Sequence, residues 1–334
     1  MNRPKKLRQK LYMNSVLYNL QKYMPSELFF WTAAICAFFL LVSPEEDFRL
    51  GYGREVVAAI VLEKPKENPY QRLELTAKAA YVFDVKAQKP LFAKNALQIL
   101  PLASITKIMT AITALSFIPE TTYITISTRA ISEEGDSGLK VGERWLLRDL
   151  LKFMLLESSN DGAVAISSTV GGILATSTTT VEENRHLFIG KMNELADTLN
   201  FSSMRFLNES GLDIDESHAG AYSSASETAR ILAYALERFP LIFSETRWSE
   251  LQLGNENGDE HPAINTNKDI STLPLLISSK TGYTDLAGGN LVIAFDAGFN
   301  YPIIISVLGS TIDGRFTDVE KLLWATLEYL SQNL

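Results

Sequence analysis

The stretch "SSKTGYTDLAGGN", Ser278 to Asn290, contains the one Lys-Thr-Gly triplet of the chain. Apolar residues before and after it predict two strands, and the glycine-bearing segment between them predicts a turn. Taken alone, Lys280 would be a solvated lysine at a strand end and Gly282 a turn residue. The triplet becomes informative because two other short motifs, S-x-x-K and S-x-N, precede it in the chain.

The S-x-x-K motif lies in "LASITKIM", Leu102 to Met109, where a helix is predicted from about Ser104 to Leu115. Positions i and i+3 share a helix face, so the amine of Lys107 can reach the hydroxyl of Ser104. A nucleophilic serine needs a base, and none of the three histidines of the chain lies in an obvious motif. Apolar neighbours would lower the pKa of Lys107 and make its neutral amine available as that base.

The S-x-N motif, Ser158 and Asn160 in "LLESSND", falls between two predicted apolar helices. Helix capping is the simplest interpretation of such residues taken alone. S-x-x-K and S-x-N each recur elsewhere, as "SGLK" at 137–140 and "SQN" at 331–333, so neither is specific by itself. The order S-x-x-K, S-x-N, K-T-G is much more specific, because these elements together form one acyl-transfer site in penicillin-binding proteins and β-lactamases.

The sequence resembles the serine D-alanyl-D-alanine carboxypeptidases, the low-molecular-mass penicillin-binding proteins, over roughly residues 79–329. The segments that carry the resemblance are "ASITKIMTA", "GDSGLKVGE", "LLESSNDGAVA", "MNELADTLNFSSMRFLNESGL" and "KTGYTDLAGGNLV". The resemblance implies a β-lactamase/transpeptidase-like α+β fold, with an antiparallel sheet flanked by helices. The order of predicted elements agrees, since strands near both ends of this region with helices between them imply a sheet whose first and last portions meet.

The resemblance also implies the chemistry. Ser104 would attack the carbonyl between two D-alanines of a peptidoglycan stem peptide, and Lys107 would accept its proton. Backbone N–H groups of Ser104 and Tyr283 would form the oxyanion hole. A β-lactam, which mimics this substrate, would acylate Ser104 and leave slowly. The remaining roles are a proton relay at Ser158, positioning of Lys107 and substrate at Asn160, positive potential at Lys280, substrate binding at Gly282, and carboxylate binding at Thr281 and Arg315.

For Arg315, in "IDGRF", an exposed surface arginine is the alternative interpretation. No metal or organic cofactor is expected for this reaction. With 46% hydrophobic residues and a net charge of −8, the chain has the composition of a globular protein, and its main body lacks the clustered basic residues of a nucleic-acid binder.

The N-terminal region predicts a membrane attachment. Residues 1–27 form a basic tail, and the apolar segment 28–43 is a transmembrane anchor or, alternatively, a cleaved signal. The positive-inside rule places the tail in the cytoplasm and the rest of a single-pass protein outside the cell membrane. Residues 44–70 would be a linker, and 71–334 the penicillin-binding catalytic domain.

Three other functions remain open at this stage. A D,D-endopeptidase would cut cross-links with the same residues. A fast β-lactamase would need a second base to activate the deacylating water, and Glu157, next to Ser158, is predicted to point to the other side of the turn. A non-catalytic penicillin-binding sensor of the envelope would be indicated by a lost motif residue, and none is lost.

Overall fold

The computed structural model describes residues 67–333, which contain twelve strands and eight α-helices besides short 3-10 turns. The strands are β1 (Ala79–Asp84), β2 (Lys89–Lys94), β3 (Leu100–Pro101), β4 (Tyr123–Thr125), β5 (Arg144–Leu146), β6 (Arg205–Phe206), β7 (Ala221–Ser223), β8 (Glu250–Gly254), β9 (Glu260–Ile264), β10 (Leu276–Thr284), β11 (Gly288–Asp296) and β12 (Pro302–Ser310). The helices are α1 (Lys107–Phe117), α2 (Thr128–Ile131), α3 (Leu147–Glu157), α4 (Asn160–Leu174), α5 (Val181–Thr198), α6 (Ala225–Arg238), α7 (Pro240–Phe243) and α8 (Gly314–Asn333).

The central sheet has five antiparallel strands in the order β10-β11-β12-β1-β2. Strand β12 pairs with β1, with Ala79 opposite Leu308 and Asp84 opposite Ile303. The first and last parts of the domain therefore meet in one sheet, as the order of predicted elements implies. The inner strands β11 and β12 are almost continuously apolar, because helices cover both faces of the sheet.

One face of the sheet is covered by α8, whose Phe316, Val319 and Leu322 are buried in the smaller of two hydrophobic clusters. Tyr70, at the end of the predicted linker, is buried in the same cluster, and its hydroxyl donates to Thr326 Oγ1 at 3.0 Å. Burial raises the pKa of Tyr70 to about 12, so its phenol stays protonated in neutral solution.

The other face packs against the larger cluster, which is built around α1. Every residue of α1 from Lys107 to Ala114 is buried, and α3, α4, α5 and α6 surround this helix. Strands therefore supply the rigid sheet edge at β10, and helices hold α1 opposite that edge. The functional site lies where these two parts meet.

Two local features differ from what the sequence suggests. The helix predicted from Ser104 begins as a 3-10 turn, Ala103–Thr106, and becomes α-helical only at Lys107. The segment "GGILATSTTTVEEN", 171–184, has the Gly, Ser and Thr content of a surface insertion but is mostly helical, since α4 extends to Leu174 and α5 starts at Val181 with a capping box from Thr180 to Glu183. Only 175–180 connect the two helices.

The predicted N-terminal tail and anchor lie outside the described residues, as does most of the linker. Among residues 67–333, no helix combines the length and the apolar character that crossing a bilayer requires.

Candidate active site

Ser104 lies in the 3-10 turn between β3 and α1, and two features fix this turn. Ala103 adopts a left-handed conformation with φ of 49°, and its carbonyl accepts a hydrogen bond from Thr106 Oγ1 at 2.7 Å. The buried side chain of Asn290, on β11, donates to the carbonyls of Pro101 at 2.9 Å and Leu102 at 3.0 Å. The serine is therefore attached directly to the central sheet.

Lys107 is completely buried, with its amine 2.8 Å from Ser104 Oγ. The same amine contacts Asn160 Oδ1 at 2.7 Å and the carbonyl of Ser210 at 2.8 Å. A neutral amine can donate to these two oxygens and still accept a proton from the Ser104 hydroxyl. Burial lowers the pKa of Lys107 to about 7, against the opposing influence of the Glu209 carboxylate and then of Glu133.

Residues 158–160 divide three tasks. Ser159 caps α4, since its Oγ accepts from the Gly162 N–H at 2.9 Å. Ser158, in a left-handed conformation with φ of 61°, instead contacts the amine of Lys280 at 2.9 Å. Asn160 faces Lys107 with its oxygen, and its amide nitrogen donates to the Glu134 carbonyl at 2.7 Å. The capping role that Ser158 and Asn160 could have played is thus filled by the serine between them.

Lys280 is the second buried amine of the site. Besides Ser158 it binds the carbonyl of Thr281 at 2.8 Å. Burial, together with the positive charges of Lys107 and Arg315, lowers the pKa of Lys280 well below its ordinary value. Two buried ammonium groups so close to each other are unfavourable, so a negative charge brought by a ligand would be attracted to this site.

Strand β10 approaches the Ser104 turn at Gly282. A Cβ atom added there would lie 2.8 Å from the Leu102 carbonyl and 3.1 Å from the Ser104 nitrogen. Only glycine allows the strand this close to the Ser104 turn. Arg315, on α8, donates from Nη1 to the Gly282 carbonyl at 2.7 Å, and its buried Nε has no hydrogen-bond partner among the described residues.

The other two predicted residues of the strand differ in exposure. The hydroxyl of Thr281 is 2.5 Å from that of Thr266, on the segment that follows β9. The side chain of Tyr283 is 46% exposed, and its hydroxyl donates to Asp285 at 3.2 Å. All nine residues predicted from the three motifs and from "IDGRF" therefore lie on the Ser104 turn, the α3–α4 junction, β10 or the start of α8. Within the part of the chain described here, no group of His, Cys, Asp or Glu could hold a metal ion.

Sequence reasoning missed three contributors to this geometry: Asn290, the Ser210 carbonyl and Glu209. Asn290 is the last residue of the stretch that contains the K-T-G triplet. Its sequence signal is a polar residue within a strand that is otherwise predicted to be apolar. A backbone carbonyl such as that of Ser210 has no sequence signal of its own.

The fold and the site define the class: a serine acyl-transfer domain in which a buried lysine contacts the serine. The chain belongs to the D-alanyl-D-alanine carboxypeptidase family, whose profile matches residues 64–311.

Relatives of known name agree with this assignment. A D-alanyl-D-alanine carboxypeptidase of Bacillus subtilis is 30% identical over 253 residues, which are 74% of this chain and 61% of that protein. A D-alanyl-D-alanine endopeptidase of Pseudomonas aeruginosa is 29% identical over 69% of this chain and 70% of its own length. The chain thus spans about three fifths of the Bacillus relative.

Solved structures show the same fold. The Streptomyces K15 DD-transpeptidase matches with a TM-score of 0.67 and 25% identity, over 77% of this chain and 98% of that structure. Penicillin-binding protein D2 of Listeria monocytogenes, in its ampicillin-bound form, matches with a TM-score of 0.61 and 26% identity, over 76% and 98%. The sequence-based expectation of a penicillin-binding, transpeptidase-like fold is confirmed.

Proposed function

We propose that the protein is a serine D-Ala-D-Ala carboxypeptidase that removes the terminal D-alanine from peptidoglycan stem peptides and is inhibited by β-lactams. The observation that carries the proposal is the buried amine of Lys107, 2.8 Å from Ser104 Oγ and without a carboxylate in direct contact. Such an amine can be neutral and can accept the serine proton. The names of the family and of its relatives support the substrate.

The proposed reaction has two steps. Ser104 Oγ attacks the carbonyl between the two D-alanines while its proton passes to Lys107, and the N–H groups of Ser104 and Tyr283 stabilise the oxyanion. The C–N bond then breaks, and Ser158 relays a proton to the departing amine. Water hydrolyses the resulting ester and restores the Ser104 hydroxyl. Thr281 and Arg315 bind the substrate carboxylate, and Lys280 supplies positive potential beside Lys107.

Glu157 supports a carboxypeptidase over a fast β-lactamase. Its carboxylate accepts a hydrogen bond from the backbone N–H of Ile264, on the β8–β9 hairpin. Burial raises the pKa of Glu157, and the Ile264 N–H opposes this by stabilising the carboxylate. The Glu157 carboxylate, which lies beside Ser158 in the chain, therefore binds the backbone of the β8–β9 hairpin.

The activity is tested with a stem pentapeptide and the purified protein from about residue 64. We expect D-alanine release, loss of release in Ser104→Ala, and acylation by fluorescent penicillin that is slowed by about 10²–10⁴-fold in folded Lys107→Ala. Unchanged acylation in that variant would refute the lysine-base mechanism. Release only from a cross-linked dimer would indicate an endopeptidase, rapid penicillin turnover a β-lactamase, and penicillin binding without any release a sensor.

We further propose that the apolar segment 28–43 anchors the protein in the cell membrane, with the basic tail 1–27 in the cytoplasm, 44–70 as a linker and the catalytic domain, 71–334, outside. The supporting observation is the basic tail followed by a nearly uninterrupted apolar run. Fractionation should find the full chain in membranes and a variant without residues 1–43 in the soluble fraction. If the protein expressed from the full sequence is soluble and lacks its N-terminal residues, the segment is a cleaved signal.

A further inference from the structure

The loop from Asn208 to Leu212 holds the face of Lys107 that points away from Ser104. Its Ser210 carbonyl accepts from the Lys107 amine at 2.8 Å. Within the loop, the Gly211 N–H donates to Asn208 Oδ1 at 2.7 Å. The loop also lies directly against the nucleophile turn, since a Cβ atom added to Gly211 would meet the Ala103 carbonyl at 1.9 Å. A shift of this loop would therefore move both members of the reacting pair.

Glu209, in the middle of this loop, is completely buried and tied to three helices. Its backbone carbonyl accepts from Thr110 Oγ1, on α1, at 2.6 Å. Its carboxylate accepts from Ser167, on α4, at 2.9 Å and from the Arg185 Nε, on α5, at 2.7 Å. The second carboxylate oxygen is buried without a partner among the described residues. A buried carboxylate costs folding free energy, and apolar packing could have anchored the loop as well.

The charges around Glu209 do not cancel. Arg185 also contacts Glu182 at 2.9 Å and Glu133 at 3.8 Å, and Arg129 contacts Glu133 at 2.8 Å and Glu182 at 2.7 Å. The network therefore has three carboxylates for two guanidinium groups. One negative charge is left over in this network, whose member Glu209 is next in the chain to Ser210, the residue that holds the Lys107 amine.

We propose that Glu209, assisted by Glu133, is a positioning residue for the general base: it fixes the Ser210 carbonyl on the Lys107 amine, and its negative charge sets the pH range in which that amine can accept the serine proton. The inference rests on the proposed function, because it assigns Glu209 a part in the acylation of Ser104. Glu209 lies in the segment "MNELADTLNFSSMRFLNESGL", but neither the three motifs nor the resemblance assigned it a role.

Opposing influences act on Lys107. Its burial favours the neutral amine and lowers its pKa to about 7, whereas Glu209 and then Glu133 favour the ammonium form. The positive group that faces the amine from another element is Lys280, on β10, and the two amines disfavour each other's charge, since the charge of Lys107 lowers the pKa of Lys280. Without Glu209 the Lys107 amine would be neutral at lower pH. The carboxylate thus keeps the base from being too weak to take a proton.

The test is the pH profile of acylation by a fluorescent penicillin, measured on the full chain between pH 5 and 9. In Glu209→Gln, which keeps the size and hydrogen-bonding capacity of the side chain, we expect the midpoint of the acidic limb to fall by about 0.3–1 pH unit. Acylation at pH 5.5 should accordingly become about two- to tenfold faster than in the unmodified protein. A purely structural role for Glu209 would lower the rate at every pH and leave the midpoint in place.

Two further variants make the result decisive. Glu182→Gln is the matched control, because this exposed residue also pairs with Arg185, and its midpoint should not move. Glu133→Gln should shift the midpoint in the same direction as Glu209→Gln, by a smaller amount. If Glu209→Gln does not fold, the result for Glu133→Gln tests the inference in its place. An unchanged or raised midpoint in the folded variants would overturn the inference while leaving the proposed function intact. Absence of any acylation in the unmodified protein would instead overturn the proposed function.

Discussion

Replacement of Gly282 by alanine should uncouple the K-T-G strand from the nucleophile. The added methyl group would lie 2.8 Å from the Leu102 carbonyl oxygen, 3.1 Å from the Ser104 nitrogen and 3.2 Å from the Ala103 Cβ. The first distance is shorter than any ordinary van der Waals contact, so either β10 or the Ser104 turn must withdraw by several tenths of an ångström. Neither part can move freely, because Asn290 ties the turn to β11 and Arg315 holds the Gly282 carbonyl.

Two quantities should change. Overpacking of this kind costs about 1–3 kcal/mol of stability. Displacement of the nucleophile from the strand should slow acylation by about 10- to 100-fold, since a misplacement of about 1 Å can cost 10²-fold. Both are measurable, the first by urea unfolding and the second by the rate of labelling with fluorescent penicillin.

The matched control is Gly254→Ala, a strand glycine of β8 whose added Cβ would come no closer than 3.8 Å to another residue. We expect this variant to be acylated at the unmodified rate. Gly282→Ala with unchanged stability and unchanged acylation would show that the strand and the turn are not in the tight contact described above.

Three other predictions concern the same site. Acylation should rise with pH, with a midpoint near the Lys107 pKa of about 7 and a tenfold fall per pH unit below it, because only the neutral amine accepts a proton; a rate independent of pH from 5 to 9 would contradict this. Asn290→Ala should lose about 2–4 kcal/mol in urea unfolding, since it leaves two carbonyls and the Gly309 N–H without their partner, and a loss below about 0.5 kcal/mol would contradict this. Glu157→Gln should leave the lifetime of the penicilloyl-enzyme unchanged, and a tenfold longer lifetime would mean that Glu157 activates the hydrolytic water after all.

The central sheet could be predicted because its strands are unambiguous in sequence. "GGNLVIAFDAG" and "YPIIISVLGS" are apolar runs of strand length bounded by turn residues, and both became inner strands buried on two faces. The helices α3, α4, α5 and α6 are recognisable by the spacing of their apolar residues, and the serine that precedes α6, Ser224, caps it.

The β8–β9 hairpin could not be predicted in the same way. Its strands, "ELQLG" and "EHPAI", are short and mostly exposed, and the second contains a proline. Their pairing depends on contacts far away in sequence, such as the Ile264 N–H on Glu157. The 3-10 start of α1 could not be predicted either, because it depends on tertiary structure. The Asn290 side chain binds the Leu102 carbonyl, and Ala103 adopts a left-handed conformation.

That 3-10 turn nevertheless explains why the serine and the lysine meet. In a 3-10 helix the residues i and i+3 stand directly above one another, whereas in an α-helix they are offset. Ser104 lies in the turn and Lys107 follows it immediately, so the two side chains face each other at hydrogen-bond distance. The S-x-x-K spacing therefore fits a 3-10 turn more closely than it fits the α-helix that the sequence predicts at this position.

The two polar residues of the S-x-N motif contact the two buried lysines of the site. Ser158 contacts Lys280, Asn160 contacts Lys107, and Ser159 between them caps α4. The left-handed conformation at Ser158 reverses the chain between α3 and α4, so two side chains separated by one residue reach two different amines. The S-x-N motif thus links the amine of Lys107, at the end of the S-x-x-K turn, to the amine of Lys280 on the K-T-G strand. Because the charge of Lys107 disfavours a charge on Lys280, and Ser158 and Asn160 connect the two amines, the protonation of the site depends on contacts made by all three motifs.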